Sequence, residues 1–152
     1  MRLFRGHFCS KLLCCLVLAL LLSSFVFLLA ATSFRARIGS IGAVKAVNVG
    51  VYWDVDCSVV VTHLDWGVVE PGGSGNKVCF VRNEANVPIE LSLFTENWSP
   101  LNASDYLSLT WNYDGAFLEV DEAVQVTFTL AVSSEVFGFT DFSFDIIVVG
   151  SG

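Results

Sequence analysis

An uncharged apolar run near the N-terminus constrains this chain more than any other feature. Residues 12–32 read LLCCLVLALLLSSFVFLLAAT and contain no charged side chain. As a helix, these roughly 21 residues would extend about 30 Å, which is the thickness of a bilayer core. A helix that is apolar on every face does not suit the surface of a soluble domain. We therefore predict that residues 1–34 form a transmembrane signal anchor or a signal peptide.

The charges beside this run predict its orientation. Three basic residues precede it and two follow it, namely Arg2, Arg5 and Lys11 before it and Arg35 and Arg37 after it. The more basic N-terminal side is predicted to stay in the cytoplasm. The run exceeds the roughly 7–15 apolar residues of a cleaved signal, which favours an anchor. Because Ala31-Thr32-Ser33 is an acceptable cleavage site, two outcomes stay open. One is a single-pass protein of the cell membrane with its C-terminal domain outside, and the other is a protein secreted after cleavage near Ser33.

The remainder of the chain is strongly acidic. After Ser33, five basic residues face all 15 acidic residues of the chain, which gives a net charge of −10 for this part. Nucleic-acid interfaces need clustered Lys and Arg to contact phosphates. This composition therefore predicts that nucleic acid is not a partner.

From Ile38 onward the apolar pattern takes a period of two, which is typical of half-buried strands. Seven runs alternate in this way, at residues 47–54, 58–63, 78–82, 89–93, 107–112, 124–130 and 142–149. Turn residues such as Pro71-Gly72-Gly73 separate the runs. The pattern predicts an all-β domain of about seven strands at residues 43–150, after a linker at residues 35–42. An Ig-like or jelly-roll-like β-sandwich is the expected architecture, and a small Greek-key barrel is the alternative.

Two cysteines fall in the predicted domain, Cys57 and Cys79, whereas the other three lie in or beside the apolar run. In an oxidising extracellular compartment, one such pair predicts a disulfide. It would close a loop of about 23 residues and stabilise the domain by about 3 kcal/mol. Two free thiols are the alternative.

No residue pattern in the domain indicates catalysis or metal binding. His63 is the only histidine after the leader, and a single histidine completes neither a Ser-His-Asp arrangement nor a copper site. We therefore predict no enzymatic activity, no cofactor and no metal. Asp54 and Asp56 are expected to mark the end of a strand at a turn rather than a cation site.

Of the four tryptophans, Trp98 is the one expected to be exposed. Trp53 and Trp111 stand in phase with apolar strand positions and are expected in the core, and Trp66 is expected to anchor a turn. Trp98 lies in a predicted polar loop, where its ring could contact a glycan or a protein ligand.

Two triplets near Trp98 match the N-glycosylation pattern, Asn97-Trp98-Ser99 and Asn102-Ala103-Ser104. Asn97 and Asn102 are therefore candidate glycosylation sites. Pro100 follows the first triplet and makes Asn97 the weaker acceptor.

The segment between the leader and the domain suggests a mode of self-association. Residues 38–52 read IGSIGAVKAVNVGVY and are rich in small and β-branched residues. They may be assigned simply to the end of a linker and a first strand. The sharper hypothesis is that part of this segment pairs with a sheet edge of a neighbouring subunit through main-chain hydrogen bonds. Repeated head to tail, such a contact would build a filament.

A stretch of motifs resembles a known group of proteins. Residues 66–100 contain a Trp-Gly, a Pro-Gly turn, an Arg-Asn before a short turn, and an Asn-Trp-x-Pro close. This quarter of the chain resembles small exported archaeal β-sandwich proteins of unassigned function. In layout, a leader followed by one sandwich, the chain is also similar to the TasA and camelysin group, whose members can build extracellular fibres by donor-strand exchange. These resemblances imply no catalytic residues.

The sequence as a whole predicts a non-enzymatic β-sandwich at the cell surface or in the extracellular space, with a structural or adhesive role. Membrane contact is expected through residues 12–32 and self-association through residues 38–52. The alternative is an extracellular module that binds a glycan or a protein partner.

Overall fold

A computed structural model of the chain describes residues 38–152, and this part is all-β. The described strands are β1 Ile38–Val47, β2 Val49–Tyr52, β3 His63–Val69, β4 Ser74–Asn83, β5 Glu90–Ser99, β6 Leu107–Trp111, β7 Ala123–Val132 and β8 Asp141–Ser151, with a 3₁₀ helix at Leu101–Asp105. The predicted leader, residues 1–34, lies outside the described residues. In the part from Ile38 onward, no helix is long and apolar enough to cross a membrane.

The strands form two four-stranded sheets, as expected for a β-sandwich. Sheet A has the order β3-β1-β8-β5, and sheet B has the order β2-β4-β7-β6. In sheet A, β1 pairs antiparallel with β3 and parallel with β8. The first described strand is therefore an interior strand, flanked on one side by the last strand of the chain.

The core lies between the sheets because alternate residues of each strand face inward. The pattern is clearest in β7 and β8, where every second residue is buried over most of the strand: Val126, Phe128, Leu130, Val132, Phe142, Phe144, Ile146 and Val148. The sequence predicted this alternation in both strands, and the structure confirms it.

The region before β3 differs from the sequence expectation. The run at residues 58–63 predicted a strand, but residues 53–62 form the connection between β2 and β3. The Asp54 carboxylate accepts hydrogen bonds from the backbone N–H groups of Ser58 and Val59, the latter at 2.7 Å, and these bonds fold the chain into a turn. Trp66 was expected to anchor a turn, but it lies within β3 and is buried in the core.

The start of the sandwich also differs from expectation. β1 begins at Ile38. Residues 38–42 of the predicted linker are therefore part of sheet A. Glycine and serine at three of these five positions mask the alternation that a strand with larger residues would show.

The sandwich has two ends, which we name for their position relative to β1. At the entry end, where β1 begins, Ile38 lies beside Val69, and Gly39 lies beside Asp141. The β3–β4 turn, the 3₁₀ helix and residues 133–140 between β7 and β8 are therefore at this end. The far end carries the β1–β2 junction and residues 112–122 between β6 and β7.

Candidate functional site

The feature of this fold that most directly bears on assembly is the place of β1 between β3 and β8, which we call the β1 slot. Residues 39–43 pair with β3 on one side and with β8 on the other. Without β1, both neighbouring strands would present unpaired main-chain groups, which are a template for any strand of matching sequence. The slot can therefore bind an extended segment through main-chain hydrogen bonds.

Small residues line the inward face of β1. Ser40 and Gly42 are buried there, and Val44 is half-buried. A Cβ atom on Gly42 would lie 3.1 Å from Cδ1 of Ile146 and 3.5 Å from Nε1 of Trp66, which is closer to Ile146 than almost any real Cβ contact. Because these residues bury little apolar surface, side-chain packing from Ser40 onward contributes little to holding β1 in place.

Two buried polar atoms at the slot weaken the side-chain contribution further. Ser40 Oγ and Trp66 Nε1 have no hydrogen-bond partner within residues 38–152. An unpaired buried polar group costs about 1–3 kcal/mol. Main-chain pairing therefore supplies most of the stabilisation of β1, and main-chain pairing is identical for any copy of the same strand.

A polar cluster fixes the register of β1 on the outer face of sheet A, and we call it the Lys45 clamp. Lys45 Nζ donates to Asp145 Oδ2 on β8 at 2.7 Å and to Glu96 Oε1 on β5 at 3.0 Å. Asn97 Nδ2 also donates to Asp145 Oδ2, at 2.7 Å. The hydrogen bond to Asp145, followed by that to Glu96, raises the pKa of Lys45. The hydrogen bond from Lys45, followed by that from Asn97, lowers the pKa of Asp145.

The Lys45 clamp predicts a specific pH dependence. Because the folded-state pKa of Asp145 is depressed, its contribution to stability is present above the ordinary aspartate pKa of about 3.9 and is lost as the pH falls through the lower folded value. Lys45→Met should therefore reduce the loss of stability between neutral and acidic pH. The measurement is the urea midpoint of the wild type and the variant at a series of pH values.

A variant on the other sheet, Lys77→Met, provides the control for this experiment. It removes a positive charge from β4, far from the clamp. Between neutral and acidic pH, this variant should lose as much stability as the wild type does. Since half of the Lys45 side chain is in water, at 52% exposure, the effect is expected to be small and to shrink with added salt. If Lys45→Met and the wild type lose the same stability between neutral and acidic pH, the Lys45 clamp does not stabilise the fold.

A single residue, Asn48, joins β1 in sheet A to β2 in sheet B. Its φ of 60° lies in the left-handed region, which asparagine tolerates better than most residues. Its Nδ2 donates to the carbonyl of Gly150 at 3.3 Å, and its own carbonyl accepts from the N–H of Glu84 at 3.1 Å. The junction is therefore short and anchored to both sheets.

Trp98 lies in β5, not in the predicted loop, and is only half-buried. Its ring stacks on Phe144 with centroids 4.1 Å apart, and its Nε1 donates to Thr95 Oγ1 at 3.3 Å. One face of the ring is thus covered by the core, and ligand contact at Trp98 stays a prediction. Trp53 was expected in the core but is 42% exposed, whereas Trp111 packs on Phe128 as expected.

Both candidate glycosylation sites are at the surface. Asn97 is exposed and adopts a φ of 55° where the pairing of β5 with β8 changes register. Asn102 is exposed in the 3₁₀ helix. Their modification stays a prediction, although the Asn97 amide is already engaged with Asp145.

Cys57 and Cys79 are free thiols in the structure, so the predicted disulfide is not formed. Cys79 points from β4 into the core, where burial raises the pKa of its thiol to about 11. Cys57 lies in the β2–β3 connection within electrostatic reach of Arg82, an alternate residue of β4 that faces away from the core. Cys79 is thus buried in the core, whereas Cys57 lies in a connection outside the strands, and the two thiols are not bonded.

The remaining candidate residues have local structural roles. In the described part of the chain, no three His, Cys, Asp or Glu side chains gather in a way that could hold a metal ion. Asp54 follows the end of β2, as the sequence predicted, and hydrogen bonds from the Val59 backbone and then the Ser58 side chain lower its pKa. His63 starts β3 at the surface, with Nδ1 3.1 Å from Thr62 Oγ1.

Comparison with known proteins leaves the function to be inferred from this geometry. No protein-family model matches the chain. No curated protein matches it significantly either.

Proposed function

We propose that this chain is a structural subunit of the cell surface or the extracellular space, and that subunits join by exchanging strand β1. The single observation that carries this proposal is the interior position of β1 in sheet A. A neighbour's β1 brings the same main-chain groups, the same small inward residues and the same Lys45. The β1 slot is therefore equally suited to its own strand and to that of another copy.

The connections cross between the sheets, since β1 and β2 lie in different sheets and so do β7 and β8, and a sandwich tied together in this way is a suitable structural subunit. In this proposal the sandwich lies outside the membrane. It is attached through residues 12–32 or released by cleavage near Ser33. It has no enzymatic role.

The energetics of exchange favour a balance between closed and joined forms. Exchange replaces each contact of β1 with an identical one, so the difference in free energy lies in the Asn48 junction and in the entropy of association. A one-residue junction is short, and short junctions favour exchange between copies. In the joined form Asn48 can take an extended conformation and leave the left-handed region, whose cost for asparagine is smaller than the roughly 1–2 kcal/mol of most residues.

The geometry of exchange decides what is built. If two copies swap β1 reciprocally, they form a closed dimer, whereas donation to one neighbour and acceptance from another is heterologous and builds an open filament. The contacts of β1 at the slot are the same in the two cases, and only the path of the chain at Asn48 differs. A filament is the form that suits a structural or adhesive role.

A mixed cross-linking experiment tests strand exchange directly. Ile41 on β1 and Ser143 on β8 are paired neighbours with exposed side chains. In full-length protein whose natural cysteines are changed to alanine, one preparation carries Ile41→Cys and the other carries Ser143→Cys. After the two are unfolded together, refolded and oxidised, we expect disulfide-linked pairs of one chain of each kind.

A matched pair in sheet B provides the control. Asn76 on β4 and Thr129 on β7 are also paired on an outer face, but neither strand is exchanged in this proposal. Mixed Asn76→Cys and Thr129→Cys chains should therefore give no more cross-linked product than random collision. If the Ile41 and Ser143 mixture gives no excess over this control, β1 stays with its own chain and the proposal is overturned.

An extracellular protein-binding module is the second candidate, and the β2–β3 connection is the observation that favours it. This connection exposes Trp53, Val55, Val59 and Val60 within ten residues of one another. The hydrogen bonds to Asp54 hold the backbone beneath them. A cluster of exposed apolar side chains on an ordered loop is typical of a protein contact. This module becomes the leading interpretation if the cross-linking experiment excludes exchange.

A further inference from the structure

We propose that the entry end of the sandwich rests on the lipid surface, where Leu101 and Phe137 insert among the lipid headgroups. This inference rests on the proposed attachment of the chain through residues 12–32, and it is independent of strand exchange. It assigns a partner, a zwitterionic lipid surface, to a part of the fold that the proposed function leaves unused.

The first observation is the exposure of two apolar side chains. Leu101 is 83% exposed and Phe137 is 81% exposed, more than any other large apolar residue in the described part of the chain. A single exposed apolar residue is ordinary in a soluble protein. These two, however, lie on connections of the same end, Leu101 at the start of the 3₁₀ helix and Phe137 between β7 and β8.

The two connections are packed side by side. The N–H of Ser133 donates to the carbonyl of Tyr106 at 2.8 Å, and the rings of Tyr106 and Phe139 lie 6.2 Å apart between centroids. The connections that carry Leu101 and Phe137 are therefore neighbours at the entry end. Tyr106 contributes an aromatic ring of the kind that is enriched where proteins meet headgroups.

The second observation is the length of chain between the apolar run and the sandwich. The run ends at Thr32 and β1 begins at Ile38. Even fully extended, this interval covers only about 20 Å, since each residue adds at most about 3.6 Å. β1 then carries the chain about 33 Å toward the far end, at about 3.3 Å per residue. If residues 12–32 anchor the chain, the start of β1 can be no more than about 20 Å from the end of the apolar run, so the entry end is within reach of the headgroups.

The charge at the entry end indicates which lipid surface fits. Asp105, Glu135 and Asp141 lie on the connections and strand ends there. These carboxylates would be repelled by anionic headgroups, so the contact is apolar rather than electrostatic. A zwitterionic surface accepts the two apolar tips without that repulsion.

The test measures the depth of a tryptophan at each end of the sandwich. The full chain is reconstituted into phosphatidylcholine vesicles as Phe137→Trp and, separately, as Phe117→Trp. Phe117 is the matched control, because it is 64% exposed in the connection at the far end. Lipids brominated near the headgroup end of the acyl chain quench only tryptophans that approach them. After subtraction of the parent protein's signal, we expect quenching of the residue-137 variant to be at least about twice that of the residue-117 variant.

A second variant, Leu101→Trp, checks that the quenching does not depend on the choice of position 137. Its tryptophan should be quenched as strongly as that of Phe137→Trp. Flotation of the vesicles reports attachment separately. Chains that float but show equal quenching at the two ends would overturn insertion while leaving attachment intact. Chains that do not float would overturn both attachment and insertion. In each case the cross-linking experiment reports independently on strand exchange.

Discussion

Asn83→Ala should lower the free energy of unfolding by about 3 kcal/mol or more, because it removes the four hydrogen bonds of one buried side chain. Asn83 is the last residue of β4 and is fully buried. Its Nδ2 donates to the carbonyls of Val87 at 2.8 Å, Leu118 at 3.0 Å and Glu119 at 3.1 Å. Its Oδ1 accepts from the N–H of Ala85 at 2.8 Å. One side chain thus ties the β4–β5 connection to the one before β7.

Asn86→Ala is the control for this substitution. Asn86 is exposed in the same β4–β5 connection, and its replacement should change stability by no more than about 0.5 kcal/mol. Urea unfolding of both variants gives the comparison. Equal stability for the two would show that the Asn83 network contributes nothing.

Asn83→Asp tests whether the Asn83 amide stabilises the fold by donating hydrogen bonds rather than by its shape. The carboxylate keeps the shape of the amide but meets carbonyl oxygens with no proton to give, so its folded-state pKa should rise above the usual value of about 3.9. The destabilisation should then grow as the pH rises from the unfolded pKa to the folded pKa. At lower pH the protonated group regains one donor, and the variant should approach the wild type.

The sequence predicted most reliably those elements whose two faces differ sharply. In β7, large apolar residues alternate with polar or exposed ones, and burial follows this alternation without exception from Val126 to Val132. In β8 the buried residues alternate in the same way, although Ile147 and Val149 on the outer face are also apolar. When one face of a strand must be buried, a period of two allows only one pairing register, because a shift of one residue would turn the apolar side chains toward solvent. The sandwich follows from several such strands, because each needs a second apolar layer to cover its inward face.

The errors arose where side chains or backbone geometry overrode the pattern. The valines at residues 59–61 favour a strand, but the Asp54 carboxylate binds the N–H groups of Ser58 and Val59, and only an isolated bridge between Val60 and Tyr52 remains. Trp98 has a similar explanation. Asn97 adopts a left-handed conformation at the register shift of β5, and a bulge changes the face on which the following side chains lie.

The candidate site was predicted only in part. The sequence indicated that residues 38–52 pair with a sheet, but an interior position between β3 and β8 depends on partners far along the chain. One local signal was available for the clamp, since Lys45 is the only charged residue between Arg37 and Asp54. A lone charge in an apolar strand indicates a specific partner, although Asp145 and Glu96 could be identified only from the fold.

Gly42→Phe should destabilise the sandwich by about 3 kcal/mol, the upper part of the range for overpacking a core. Gly42 faces Ile146 and Trp66 across the β1 slot, and even a Cβ atom there would lie 3.1 Å from Cδ1 of Ile146. A phenyl ring cannot fit without moving β1 out of the slot. The adjacent variant, Ile41→Phe, is the control, because Ile41 is 56% exposed and its replacement should change stability by no more than about 0.5 kcal/mol. Urea unfolding of both variants measures the difference.

The same variant shows whether the emptied slot accepts a strand from outside. A peptide of residues 38–47 should raise the unfolding midpoint of Gly42→Phe, since it restores the main-chain pairing with β3 and β8. The same peptide with phenylalanine at residue 42 should have no effect, because it meets the same Ile146 and Trp66. Equal effects of the two peptides would mean that the added strand does not occupy the slot. A rise with the glycine peptide alone would mean that the slot selects its strand by the size of the residue at position 42, and a neighbour's β1 has the same glycine there.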